Sequence, residues 1–279
     1  IGSGAFTGCD GLKQIINNST YLSLADYSSV VGKRNYEGLF RYAKEVIDNV
    51  SGTTYTAENG YSYIKTEDGF YFQLINGVYT LIAYLGTEDV ITLPEDINGN
   101  EYSIYKMRGV KNVIIPDTFT SIDDRAFYDC KSLKSIVMPD SITNIGSEAF
   151  ANCSNLTNVE LSNALLSTGY GLFRNCTSLI EIVLPDGLTN IKENMFYNCT
   201  NLTNVQVSSA LELIDYSAFY LCTNLTSIQL PNTLTEIRDK AFYNCSNLTS
   251  ITIPDSVLNI ANTAFYNCDN LSSINVDEN

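Results

Sequence analysis

The stretch Leu248-Thr249-Ser250-Ile251-Thr252-Ile253-Pro254-Asp255-Ser256-Val257, followed by Ala264-Phe265-Tyr266-Asn267-Cys268, decides the fold. Ser250 to Ile253 alternate polar and apolar, which is strand period. Pro254 has no N–H to give to a ladder, so the strand stops there. Pro254-Asp255 reads as a turn. Val257 and Ile260 begin a second inward-facing stretch, and Ala264-Phe265 places a small and a large group in the core. Asn267-Cys268-Asp269-Asn270 turns the chain back to Leu271.

The same stretch recurs upstream. Cysteine falls at Cys130, Cys153, Cys176, Cys199, Cys222, Cys245 and Cys268, every interval being 23 residues. Phenylalanine keeps the beat from Phe127 to Phe265, and leucine from Leu133 to Leu271. Proline follows at Pro116, Pro139, Pro185, Pro231 and Pro254, with Ser162 and Ser208 on the two missed beats. The unit is L-x-x-I-x-I-P-x-x-[LIV]-x-x-I-x-x-x-A-F-x-x-C-x-x. Self-similarity at this period predicts a solenoid whose coils bury a shared core only by stacking. With adjacent strands ~4.8 Å apart, seven coils span roughly 30 Å.

This unit resembles the leucine-rich repeat of the BspA-like, treponemal-type family. Leu248 to Val257, Ile145-Gly146 and Ala149-Phe150-Ala151-Asn152-Cys153 carry the resemblance. Thr168 in place of the inward Ile, and Leu172 and Met195 in place of Ala, depart from it. The resemblance implies a bacterial cell-surface or secreted protein that adheres, through its repeats, to host-matrix or other cell-surface proteins. The expected fold class is therefore a β-rich repeat solenoid of 23-residue period with a small α+β cap.

Four regions are expected. Residues 1–16 end an upstream repeat, since Ile1 to Cys9 aligns with Ile260 to Cys268. The chain so reads as a slice of a larger protein. Residues 17–52 are expected to be a linker with a capping helix over Glu37 to Val50, where Leu39, Phe40, Ala43, Val46, Ile47 and Val50 share one helical face. Residues 53–112 read as a β-hairpin cap, with turns at Glu67-Asp68-Gly69 and Asn76-Gly77. They end in a degenerate repeat whose Pro94 stands one residue out of step with Pro116. Residues 113–279 hold seven repeats. Twelve of the nineteen tyrosines lie in 17–112 and are expected to be half-buried cap residues.

Composition narrows function. The chain has 279 residues, 16 basic and 31 acidic, for a net charge of −15. Nucleic acid is not an expected partner at that charge. No apolar run reaches the ~18 residues of a membrane span. With no histidine, imidazole-based catalysis and ordinary catalytic zinc sites are excluded. No cofactor and no metal site are expected, Asp123-Asp124 lacking calcium-loop spacing. The periodic cysteines are expected as free, buried thiols, with disulfides between adjacent coils or metal ligation as the alternatives. The twelve N-x-[ST] triplets read as turn chemistry.

The candidate site is the outward face of the strands. The position between the two inward residues runs Ile114, Val137, Glu160, Val183, Gln206, Gln229, Thr252, Asn275. Ile114, Val137, Ile180 and Val183, around Glu160 and Glu181, form an apolar patch rimmed by charge, which is an interaction-site signal. The alternative is a sheet surface tuned for strand propensity or covered by the cap. A column of Tyr128, Tyr197, Tyr220, Tyr243 and Tyr266 is expected to pack between coils. The expected function is a non-catalytic protein-binding scaffold. A structural spacer that presents other domains is the alternative. A glycosidase-like pairing of Glu160 with Glu181 is disfavoured, because a repeat surface offers no water-excluding cleft.

Overall fold

The computed structural model describes residues 14–17, 45–48, 53–56, 62–75, 78–97 and 99–276. The chain divides into two compact units, Ile1–Leu81 and Ile82–Asn279. No helix is present among the described residues.

In the first unit, Gln14–Asn17 pairs in parallel with Glu45–Asp48. Thr53–Thr56, Ser62–Lys65 and Phe70–Ile75 then follow in antiparallel order. Glu45–Asp48 lies inside the stretch expected to be helical, so that expectation fails there. The β-branched pair Val46-Ile47 favours a pleated strand, and both neighbouring strands offer it ladder partners. The rest of 37–50 lies outside the described residues, as do residues 1–13.

The second unit is a stack of coils, each contributing two short parallel strands to two sides. On the first side Val90–Thr92, Asn112–Ile114, Ser135–Val137 and Asn158–Glu160 form a four-stranded sheet. Glu181–Val183 pairs with Asn204–Gln206, and Ser250–Ile253 with Ser273–Val276. Ser227 to Gln229 keep the sequence register without forming a ladder strand. On the second side Ser121–Ile122, Asn144–Ile145 and Ser167–Thr168 form one sheet. Asn190–Ile191, Leu213–Ile214, Glu236–Ile237 and Asn259–Ile260 form another. The array opens before residue 113, because Val90–Thr92 already pairs with Asn112–Ile114 at a 22-residue step. That step is the one-residue offset of Pro94.

The core is a set of columns. Phe127 to Phe265 stack ring on ring, with centroids 5.1–5.7 Å apart and planes within 14°. Their spacing is the coil spacing, so each coil from that of Phe127 to that of Phe242 adds one large buried ring to the centre. Each Phe N–H donates to the carbonyl one position before the next Phe, as Phe127 does to Ala149 and Phe219 to Ala241. Leu172 and Met195 accept the same bond from Phe150 and Phe173, so the larger side chains leave the ladder intact. In the first coil Met107 donates to Ala126 and takes the place of Phe.

Every periodic cysteine is free, and six of the seven are fully buried. Each thiol from Cys153 to Cys268 donates to the carbonyl of the Phe 26 residues earlier, at 3.0–3.2 Å. The same carbonyl accepts the N–H of the cysteine three residues on in its own coil. A small apolar group with one weak donor suits this site. Burial pushes the thiols up, Cys130 to about 11 and Cys199 to about 12.

The residue before each cysteine is left-handed: Asp129, Asn152, Asn175, Asn198, Leu221, Asn244 and Asn267 all have φ of 57–63°. Asparagine tolerates this region best among non-glycine residues, which accounts for its recurrence. The asparagines also bond to one another, Asn175 Nδ2 to Asn152 Oδ1 and Asn198 Nδ2 to Asn175 Oδ1. Ser162 and Ser208 replace the turn proline by accepting, on Oγ, the N–H two residues on. Thr168 stands in the isoleucine column with its hydroxyl buried and unpaired among the described residues.

Candidate functional site

The ladder alternates residues inward and outward, and the inward members Val113, Ile136, Ile182, Val205 and Ile251 are buried. Their outward neighbours make the candidate face. Thr92, Ile114, Val137 and Glu160 are successive Cα partners and form one rung across four coils. Ile114 is 40% exposed, Val137 half-buried and Glu160 exposed. Glu181 and Val183 lie in the next ladder, opposite Asn204 and Gln206. Ile180 sits in the turn before that strand, its carbonyl taking the N–H and hydroxyl of Thr203. Ile180 and Val183 are 51% and 57% exposed. The sheets thus bring Ile114, Val137 and Glu160 together directly, and place Glu181 and Val183 in a second, two-stranded ladder with Ile180 just before it.

A charged feature beside the rung escaped the sequence reading. Ile180 belongs to a column that runs Lys111, Lys134, Thr157, Ile180, Thr203. Lys134 N–H donates to Lys111 O, and Thr157 N–H to Lys134 O. The column therefore sets Lys111 and Lys134 immediately before the strands that carry Ile114 and Val137. Lys111 bonds to Asp89 and holds that carboxyl below its usual range. The legible signal was two lysines one period apart in a column otherwise of Thr, Ser and Ile. Polar backbone-side groups near the rung are already committed, with Ser135 Oγ on Asn112 Oδ1 and Asn112 Nδ2 on Asp89 O.

The tyrosine column splits in two. Tyr197, Tyr220, Tyr243 and Tyr266 stack at 4.8–4.9 Å. Tyr128 stands apart, with Lys106 and Arg125 over its ring. Ala151 and Arg174 occupy the two positions between, and Arg174 covers the first ring of the stack at 5.2 Å. Among the described residues no group of three His, Cys, Asp or Glu side chains is arranged to hold a metal ion. No helix among them is long and apolar enough to cross a membrane.

Two parallel strands per coil, a phenylalanine column and a cysteine turn build each 23-residue unit. The profile of the BspA type leucine-rich repeat region matches residues 98–224 and 189–279, in six copies. The chain belongs to the BspA-type leucine-rich repeat family. Among solved structures, a leucine-rich repeat protein of T. pallidum is similar at 26% identity and a TM-score of 0.53, over 78% of this chain and 90% of that one. A leucine-rich repeat protein of Bacteroides ovatus shares the fold at 24% identity and a TM-score of 0.56, over 76% and 70%. No curated protein matches the chain. The BspA-type repeat is a scaffold consistent with protein interaction, and its periodic residues build the core described above. The outward rung is where this chain's own residues vary.

Proposed function

We propose that this BspA-type array is a non-catalytic protein-binding scaffold of a bacterial cell-surface or secreted protein. Its site is the strand face that carries Ile114, Val137, Ile180 and Val183 with Glu160 and Glu181, flanked by Lys111 and Lys134. The observation that carries this reading is the exposure of branched apolar side chains on the outward rung beside fixed charges. Apolar residues exposed together and rimmed by charge are the mark of an interface rather than of a solvated sheet. The family resemblance supports adhesion to a host-matrix or other cell-surface protein.

The test is capture of purified extracellular-matrix proteins and bacterial surface proteins by the immobilised chain, beside a Val137→Arg/Val183→Glu variant. Selective capture that is lost in a variant with unchanged circular dichroism is expected. Equal capture by both proteins would remove this face from consideration. A spacer role is favoured by one observation, the unbroken stack from Phe127 to Phe265, which stiffens the array along its length. It predicts no capture by either protein.

A further inference from the structure

The second side of the array ends on a strand edge that Tyr102–Arg108 covers from Asp123 onward, through Ile104 N–H on Asp123 Oδ2 and Lys106 and Met107 N–H on Arg125 and Ala126 O, and leaves open at Ser121. Ser121–Ile122 is the outer strand of its three-stranded parallel sheet. Thr120 and Ile122 carbonyls accept the N–H groups of Thr143 and Gly146 from the next coil. Alternate residues of a parallel strand turn their backbone groups to opposite sides. Ser121 therefore directs its N–H and C=O away from that sheet. The regular array would continue there with another short strand. Instead the preceding coil makes a tight turn, with Ile97 and Asn100 exchanging both backbone bonds, and runs on as Tyr102–Arg108.

Two adjoining cavities of about 490 Å³ and 380 Å³ lie along this edge, both lined by Ile104, Ser121, Ile122 and Asp123. Ile104 and Ile122 are buried and give an apolar floor. Tyr102 packs edge-on against Phe119 at 5.5 Å and donates its hydroxyl to Pro94 O, which fixes one wall. The remaining chemistry is of one sign. Glu95, Glu101, Asp123 and Asp124 line the cavities, and no Lys or Arg does. Asp123 accepts Ile104 N–H on Oδ2 and Asp124 accepts Ser147 N–H on Oδ1, so each carboxylate is held in place.

We infer that this groove binds an extended, lysine- or arginine-bearing peptide segment of a partner protein, added as a strand to the Ser121 edge. The edge supplies main-chain pairing and the groove supplies side-chain selection, as in strand addition generally. The acidic rim selects a basic segment and raises its encounter rate. The site lies on the opposite type of strand from the Ile114–Val137 rung and does not depend on it.

The probes are three short peptides on the full chain: one alternating lysine and valine, its glutamate–valine counterpart, and the lysine peptide N-methylated at alternate residues. Isothermal titration should show saturable binding of the first alone, weakened by rising salt. Glu95→Lys/Glu101→Lys changes two exposed side chains and should weaken it about tenfold or more, with the melting temperature kept. No binding of the lysine peptide would overturn the inference. So would equal binding of the glutamate or N-methylated peptide, or unchanged affinity in the double variant. Sedimentation that shows a dimer abolished by the same variant would assign the groove to a second copy and equally overturn it.

Discussion

The coils carrying Cys130 to Cys199 and those carrying Cys222 to Cys268 have the same interior and different exteriors. Both halves stack one Phe per coil, and every thiol from Cys153 onward donates to a Phe carbonyl. On the outward rung the upstream coils present Ile114, Val137, Glu160 and Val183, while the downstream ones present Gln206, Gln229 and Thr252. The tyrosine column shows the reverse pattern, interrupted upstream by Ala151 and Arg174 and continuous downstream from Tyr197. The 23-residue beat therefore fixes only what must pack between coils. Positions outside the core columns vary from coil to coil.

The largest expected effect bears on the shared interior. Burial raises the folded-state thiols above the ordinary value of 9.0, Cys130 to about 11 and Cys199 to about 12, with Cys153, Cys222 and Cys245 raised as well. Above pH 9 the unfolded chain releases protons that the folded chain retains. Stability is then flat below about pH 8 and falls by up to ~1.4 kcal/mol per pH unit for each buried thiol until the folded values are passed. Urea unfolding between pH 7 and pH 11 should show this loss. Cys153→Ala and Cys222→Ala should lessen it equally, and unequal slopes would break the equivalence of the two halves.

Phe150→Ala and Phe219→Ala each remove one ring from the stack. Both should cost about 3–5 kcal/mol by urea unfolding, against less than about 0.5 kcal/mol for the exposed Val183→Ser. Local departures from the repeat sharpen the comparison further. Leu221 holds a left-handed conformation that asparagine fills in the neighbouring coils. Leu221→Asn should stabilise by about 1 kcal/mol. Thr168→Val removes a buried hydroxyl without a partner, and should stabilise by a similar ~1 kcal/mol. A rise in melting temperature for each variant is the check.

The core and the repeat were legible because four residue types hold one register. Phe, Cys, Leu and the turn proline each answer a single packing or backbone demand of the coil. Within the helix expected over Glu37 to Val50, the expectation fails at Glu45–Asp48, where the β-branched pair Val46-Ile47 serves a strand as well as a helical face. The array's start was hidden by substitution: Met107 takes the Phe place, and the pairing of Val90–Thr92 with Asn112–Ile114 runs at 22 residues instead of 23. The exposed rung could be listed from alternation alone. Its division between two ladders, and the Lys111–Lys134 edge beside it, depend on how successive coils pair. The open edge at Ser121 arises where the chain leaves its period, so no periodic pattern could reveal it.

The central claim is that upstream outward positions bind while downstream ones only solvate. The direct measurement compares capture of one identified protein partner by Val137→Arg/Val183→Glu and by the matched downstream pair Gln206→Arg/Thr252→Glu, each with its melting temperature. The account predicts that both variants keep the wild-type melting temperature within a few degrees, and that only the upstream pair loses capture. Equal loss in both variants, or loss in the downstream pair alone, would contradict it.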